Sequence, residues 1–341
     1  MEELRVVELF AGYGSQSMAL KRANINYKTV AIAEIDEHAI NSYEAIHGTT
    51  YNLGDITKVE GELVPDHDFL TYSFPCTDIS VSGAMKGLLE GSGTSSSTLW
   101  DVKRVIETKK PRFLMMENVD NLVIKFKEDF LLWLGFLRYQ GYTTTWRVID
   151  AEPYVPQRRK RVIAISQLDG KAFLFPKDPE ERTYDLIDVL EDLDDAEALE
   201  SFKDPSVRSA TVDTVTYYNP ISDYYTLQPE KSKATFIGYI GNQPKQATRV
   251  YPPITASTLT ANGGGQGGKT GLYFLGTHIR NLSPLEAWRI MGVSDEDFYK
   301  ARAVGTVKTQ LLKQAGNSIV VDIMVPIFEN LFKEYKKEVA E

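Results

Sequence analysis

One cysteine, Cys76, stands among 341 residues. A lone thiol excludes an intramolecular disulfide framework and a cysteine-rich zinc site, so any role it has is that of a single sulfur. Histidine is almost as scarce, and His38, His47, His67 and His278 show no metal-ligand spacing. No metal is expected. Long apolar runs are also absent: nothing approaches the roughly 20 residues that cross a bilayer. The N-terminal MEELRVVELF carries charges where a signal peptide needs its apolar segment, which leads to the expectation of a cytoplasmic protein. What is present is ordinary globular composition, 43% hydrophobic and 25% charged with 24 Gly and 15 Pro, which excludes disordered and collagen-like chains. The length favours two domains, each able to bury its own core.

A positive net charge is missing too. The formal charge of −9 argues at first against a nucleic-acid partner. Its distribution reverses that argument: residues 178–204 hold twelve acidic side chains against Arg182 and Lys203, which leaves the rest of the chain at +1. Residues 205–275 hold six basic and three acidic residues with nine Tyr or Phe among them, a pattern that suits either a basic, aromatic binding surface or a solvated domain with ordinary core aromatics.

Residues 4–165 alternate strand-like and helix-like stretches: LRVVELF, SQSMALKRAN, KTVAIAEI, DEHAINSYEAIHG, HDFLTYSF, TLWDVKRVIETKKP and RFLMMENV. Continuous apolar strands alternating with helices predict an α/β fold with a doubly wound, mostly parallel sheet. YTTTWRVIDA and RVIAISQL read as two further strands of that sheet. From about Asp178 the pattern breaks into short Tyr-rich, Pro-interrupted pieces that end in NGGGQGGKTG, the mark of a second, smaller and irregular α+β domain. Helical signals then return. Ser283 is placed to cap SPLEAWRIMG, with Pro284 at the first helical position and Glu286 three residues after the cap. Ser318 is read as opening an amphipathic helix that contains Pro326.

In VVELFAGYGSQS a strand runs into a turn with Gly12 and Gly14 and then a helix, so backbone N–H groups can face a ligand. Ser17 replaces the third glycine of the dinucleotide fingerprint, which favours a nucleoside over a pyrophosphate. One strand later Glu34, in AIAEID, is placed to take two ribose hydroxyls, and Asp55, in LGDIT, to accept from an adenine amino group. Each alone is equally a surface carboxylate. Cys76 follows a strand in SFPCTDIS, behind the stiffening Pro75. A free cysteine is more often a buried filler, but the next strand ends in MMENV and brings Glu117 and Asn118 to the same sheet edge. PQRRKRV then places Arg159 and Arg161 on one face of a strand by alternation and Lys160 on the other.

In their order and spacing these motifs resemble the DNA cytosine C5-methyltransferase family over nearly the whole chain. ELFAGYGS resembles the methyl-donor loop, AEID the ribose acid, GDIT the adenine contact, SFPC the catalytic loop, ENV the cytosine-binding glutamate and PQRRKR the arginine strand; RNLSPLEAWRIMGV and QAGNSIVVDI resemble the last two motifs. The resemblance implies a class I, Rossmann-like S-adenosylmethionine-binding catalytic domain over 1–177, a target-recognition domain over 178–275, and a segment 276–341 that returns to the catalytic domain. It extends the donor pocket to Phe10, Ala11, Gly12, Gly14, Glu34, Ile35, Asp55, Ile56, Pro75 and Leu99, closed beside Phe10 by a helix starting at Asn317 and Ser318. Ser80, Ser82, Gln157 and Lys269 are implied as DNA contacts. Three departures stand out: Thr77 where Gln is usual, Ser96 where an arginine gripping phosphate is common, and Tyr154 where glycine is usual.

The chemistry so implied is methylation of a flipped-out cytosine in duplex DNA. Cys76 attacks C6, Glu117 stabilises the enamine at N3 with a carboxyl that holds its proton unusually well, and Arg161 with Arg159 holds the O2 side. The partners so implied are duplex DNA and a cognate restriction endonuclease, the protein being a monomer associated with the nucleoid of a bacterial or phage-infected cell. The alternatives are a tRNA cytosine C5 methyltransferase, whose variable region is shorter, a catalytically silent DNA-binding protein of the same fold, and a Rossmann dehydrogenase disfavoured by Ser17.

Overall fold

The computed structural model describes residues 2–80, 87, 88, 90–191, 215–217, 237–240, 249–261, 271–274 and 279–336. The chain divides into two compact units, one of residues 1–150, 160–177 and 321–341, the other of residues 151–159 and 178–320. Residues 276–320 therefore group with residues 178–275, and 321 onward with the first unit.

The first unit is built on a six-stranded sheet in the order β2-β1-β3-β4-β6-β5. Its strands are β1 (Leu4–Leu9), β2 (Tyr27–Ala33), β3 (Phe69–Tyr72), β4 (Phe113–Val119), β5 (Thr143–Asp150) and β6 (Lys160–Gln167). The first four are mutually parallel, and β6 runs antiparallel between β4 and β5. This is the doubly wound, mostly parallel sheet the alternation predicts, completed by the two expected strands. Because β6 is antiparallel, its N-terminal end lies at the edge where the parallel strands have their carboxyl ends.

Helices cover both faces because the central strands are apolar on both. On one face α3 (Leu99–Lys109) and α5 (Lys127–Tyr139) bury Val102, Val105, Ile106, Phe130 and Trp133 against Leu70, Leu114 and Met116. On the other lie α1 (Ser15–Arg22) and the helix Val321–Leu331, joined by an Arg22–Asp322 ion pair of 2.7 Å, with Phe328 and Phe332 edge-on to Phe69 at 5.6 and 4.8 Å. Residues 121–139 form α4 (Asn121–Ile124) and α5, which the period reading passes over because FLLWLGFL is apolar nearly all round.

The second unit carries a sheet of five short strands in the order β11-β10-β9-β8-β7, from β7 (Val215–Tyr217) and β8 (Gly238–Ile240) through β9 (Arg249–Tyr251) and β10 (Leu272–Phe274) to β11 (Ile279–Arg280). Ile237, Val250, Leu272, Phe274 and Ile279 form its small core. Helix Pro284–Arg289 starts as the sequence predicts: Ser283 Oγ accepts from Glu286 N at 3.2 Å and Glu286 accepts from Ser283 N at 2.7 Å. Ser318 departs from its expected place. It caps the C-terminus of helix Lys308–Asn317, and the Pro326-containing helix begins only at Val321. Within the described residues no single helix is long and apolar enough to cross a membrane.

Candidate active site

Four parallel strand ends and one antiparallel start converge on one edge of the first unit's sheet. At the end of β1, Phe10, Gly12 and Gly14 take φ values of 58°, 58° and 83°. Left-handed backbone is strained for Phe10, and it is held there by Phe10 N donating to Ala33 O at 2.8 Å. The two glycines differ in purpose. A Cβ on Gly14 would meet His47 Nε2 at 2.4 Å, so Gly14 serves the packing of α1 on helix α2 (Glu37–His47); a Cβ on Gly12 would meet nothing within 4 Å. The space over Gly12 is open for a ligand.

Glu34, at the end of β2, faces this loop. Its carboxylate accepts from Gly12 N at 2.9 Å, Ile35 N at 2.8 Å and Asp36 N at 2.9 Å. Asn52, which sequence reasoning missed, braces it: Oδ1 accepts from Glu34 N at 3.2 Å and from Gly54 N at 2.9 Å, while Nδ2 donates to Glu34 O at 3.0 Å. Its signal is weak, a lone Asn two residues before a glycine. Beside the carboxylate Ile35 is 71% exposed, a large apolar side chain at a sheet edge. Asp55 caps the turn Ile56–Lys58, accepting from the Thr57 hydroxyl at 2.8 Å and Thr57 N at 3.0 Å; those bonds hold its carboxyl below the usual carboxylate range. Ala11 and Ile56 are nearly covered, and Pro75 is half-buried. Leu99 differs from expectation: it has no exposed surface and belongs to the apolar core, so it presents no face to a ligand in this conformation.

The loop after β3 carries Cys76, half-buried. Asn118 Nδ2 donates to Phe74 O at 2.9 Å, Ser96 Oγ to Pro75 O at 2.7 Å and Asn121 Nδ2 to Ile79 O at 3.1 Å. Cys76 O accepts from Ile79 N at 3.1 Å and Ser80 N at 2.8 Å, a turn that leaves Ser80 half-buried. Ser96 is therefore no surface substitute for a phosphate-gripping arginine, since it is wholly buried.

Glu117, near the C-terminal end of β4, lies 3.0 Å from Arg161 Nε, with both side chains about nine-tenths buried. Register explains the meeting: Glu117 pairs with Ile163 and Val119 with Arg161, so Glu117 and Arg161 are diagonal neighbours on one face. The same pairing limits the sequence reading of Arg159. β6 begins at Lys160, and alternation does not extend back to Arg159. In the second unit its buried guanidinium donates to Leu259 O at 2.9 Å, Gly316 O at 2.8 Å and Ser318 O at 2.6 Å. A cation on the last carbonyls of helix Lys308–Asn317 is a stabilising C-terminal contact, and Arg159 is corrected from a base-contacting group to a structural one.

Gln157 is corrected in the same way. It has no exposed surface, donates to Ile290 O at 3.0 Å and accepts from Leu259 N at 3.1 Å, so its amide joins two segments of the second unit instead of meeting DNA. Tyr154 finds a use in that unit, its hydroxyl donating to Asp178 at 2.8 Å. Asn317 and Ser318 also lie in the second unit. Ser82 and Lys269 lie outside the described residues.

An open parallel sheet with a left-handed glycine loop facing a strand-end carboxylate is the build of a class I methyltransferase domain. Comparison with known proteins narrows this. The C-5 cytosine-specific DNA methylase family matches residues 4–333. The type II methyltransferase M2.ScrFI of Lactococcus lactis subsp. cremoris is 34% identical, the match covering 97% of this chain and 99% of that protein. The type II methyltransferase M.HhaI of Haemophilus parahaemolyticus is 32% identical, covering 97% of each. The crystal structure of the S. pombe Dnmt2 methyltransferase superposes with a TM-score of 0.69 over 97% of this chain and 99% of that one, at 19% identity, a likeness of fold. The chain belongs to the C-5 cytosine-specific DNA methylase family and is an enzyme of that class, whose methyl donor is S-adenosylmethionine.

Proposed function

We propose that the protein methylates C5 of a cytosine flipped out of duplex DNA, through a covalent bond between Cys76 and C6. The observation that carries this reading is the Glu117–Arg161 pair at 3.0 Å, one residue before an asparagine whose amide holds the loop of the chain's one thiol. A carboxylate and a guanidinium side by side match the N3 and O2 edge of cytosine, and a thiol on the loop after the neighbouring strand β3 matches the electrophilic C6.

The residues fit the donor. The open space over Gly12 admits a ligand close to backbone, the Glu34 carboxylate suits a ribose diol, and exposed Ile35 offers an apolar surface for an adenine ring. Asp55 and Ile56 would border the base, with Phe10, Ala11 and Pro75 completing the wall. When bound, S-adenosylmethionine supplies an electrophilic methyl group on a sulfonium. Cys76 as thiolate adds to C6 and raises electron density at C5. Glu117 holds a proton at N3 as that density develops, and Arg161 orients O2. After C5 is methylated, loss of its proton expels Cys76 and restores the ring. Flipping costs a few kcal/mol of stacking, offset by pocket and backbone contacts.

In this reading residues 178–275 read the target and Ser80, Ser82 and Lys269 approach the DNA. In the same reading the enzyme acts as a monomer in the cytoplasm, beside a cognate endonuclease, a partner in keeping with the type II names of the two relatives. The test is to incubate the protein with labelled donor and either duplex DNA, duplex carrying 5-fluorocytosine, or tRNA. A covalent adduct with the fluorinated duplex, absent in Cys76→Ser, is expected. Methylation of tRNA alone would move the assignment to RNA, and full activity of Cys76→Ser would remove the thiol from the mechanism.

A further inference from the structure

A nucleophile on a loop reacts well only if the loop holds its sulfur within a fraction of an ångström. Phe74–Ser80 has no helix or strand of its own to do this. Asn118 and Asn121 hold its two ends, and both come from β4 and the helix after it. Ser96 comes from elsewhere, the 3-10 turn Ser95–Thr98 that leads into α3, and it grips the loop on both sides of the thiol. Its hydroxyl donates to Pro75 O at 2.7 Å and accepts from Asp78 N at 3.2 Å, while its own N–H donates to Asp78 Oδ2 at 3.2 Å.

We propose that Ser96 and Asp78 form a latch that positions Cys76, with Ser96 a positioning residue for methyl transfer. The hydrogen-bond accounting closes: the one hydroxyl proton goes to Pro75, a lone pair takes the Asp78 amide, and the Asp78 carboxylate returns to the serine backbone. Both side chains are buried, Ser96 at 0% and Asp78 at 7% exposure, so water does not readily substitute. The peptide planes before and after the Cys76–Thr77 pair are thereby tied to one oxygen, which fixes the direction of the Cys76 Cα–Cβ bond. Thr77, between the clamped groups, is exposed and takes no part in the latch.

The proposal rests on Cys76 being the nucleophile, and the experiment separates the two. Cys76 is the only cysteine, so alkylation of the full-length protein by iodoacetamide reports this thiol alone. Ser96→Ala, Ser96→Thr, Asp78→Asn, Asp78→Ala and Cys76→Ser are compared in single-turnover methylation of duplex DNA, adduct formation with 5-fluorocytosine duplex, donor affinity, melting temperature and the pH profile of alkylation. Ser96→Ala is expected to slow adduct formation and methylation on the order of a hundredfold, with donor affinity kept within about twofold and an altered alkylation profile. Asp78→Ala should behave alike, whereas Ser96→Thr or Asp78→Asn, which keep an oxygen at the latch, should recover most of the rate. If Ser96→Ala does not fold, the Asp78 pair carries the comparison. Adduct formation within about threefold of the parent in both alanine variants, or a loss matched by an equal loss of donor affinity and melting temperature, overturns the latch. An active Cys76→Ser instead overturns the nucleophile, and the alkylation profile still shows whether Ser96 positions the thiol.

Discussion

The loops that leave β1 and β3 sit side by side on one sheet edge, since these strands are hydrogen-bonded neighbours, yet they are held in different ways. The β1 loop is shaped by backbone. Three left-handed residues in five turn it, and its anchors are the Ala33 carbonyl and the Glu34 carboxylate. The β3 loop has no described residue from Phe74 to Ser80 with positive φ and is held by buried side chains, Asn118, Ser96 and Asn121. The difference reflects what each must present. A loop that offers N–H groups to a ligand keeps side chains out of the way, and a loop that aims one sulfur needs side chains from outside to fix it.

The sharpest test of this contrast lies on β4, next to the asparagine that holds the clamped loop. Glu117→Gln keeps the shape beside Arg161 but removes the carboxyl that holds the proton at N3, and is expected to lower the single-turnover rate by roughly a thousandfold, about 4 kcal/mol, while donor affinity stays near that of the parent. A loss below about tenfold in rapid-quench assays would remove Glu117 from the chemistry.

Next come the two glycines of the unclamped loop. Gly14→Ala adds a methyl 2.4 Å from His47 at a left-handed position and should destabilise the first unit by roughly 2–4 kcal/mol in urea titration. Gly12→Ala meets no neighbour and should cost only about 1 kcal/mol of stability, yet weaken donor binding by about tenfold or more in calorimetry. Equal stability losses at both positions would erase the distinction between the packing glycine and the ligand glycine.

An effect that appears only as pH changes is expected beneath the β1 loop. Glu8 is wholly buried on β1, where Tyr43 donates to it at 3.0 Å and Ser17 by a short bond, and its Oε2 has no hydrogen-bond partner among the described residues. Burial pushes this carboxyl up from its ordinary 4.5 to about 7. The folded protein then keeps a proton that the unfolded chain releases, so stability falls as pH rises from about 4.5 through about 7. The loss amounts to about 3 kcal/mol. Glu8→Gln should flatten that part of the profile, gaining on the parent between pH 5 and pH 8, and parallel urea midpoints across this range would show that Glu8 does not titrate there.

Arg159 and Arg161 mark the point beyond which local pattern is not enough. Two positions apart in QRRKR, they have the same residue type and the same predicted face. Arg161 lies within β6 and meets Glu117 through strand register, whereas Arg159 lies before the strand and binds carbonyls at Leu259, Gly316 and Ser318. Gln157 and Leu99 depart from their expected places for the same cause: each looks available in its motif and is buried. Nothing in local spacing encodes an acceptor 100 or 157 residues away.

By itself the sequence determined the β-α alternation, the strand ends that carry Gly12, Glu34, Cys76 and Glu117, the Ser283–Glu286 cap and the presence of a single thiol. Those features depend on side-chain period, backbone preference and neighbours within a few residues. Tertiary structure alone decided that β6 enters antiparallel and delivers Arg161 to Glu117, that Gly14 packs while Gly12 stays open, and that Ser96 closes on both sides of Cys76. Those outcomes depend on which distant groups share a buried volume, where every polar atom must find a partner, and no local pattern specifies that partner.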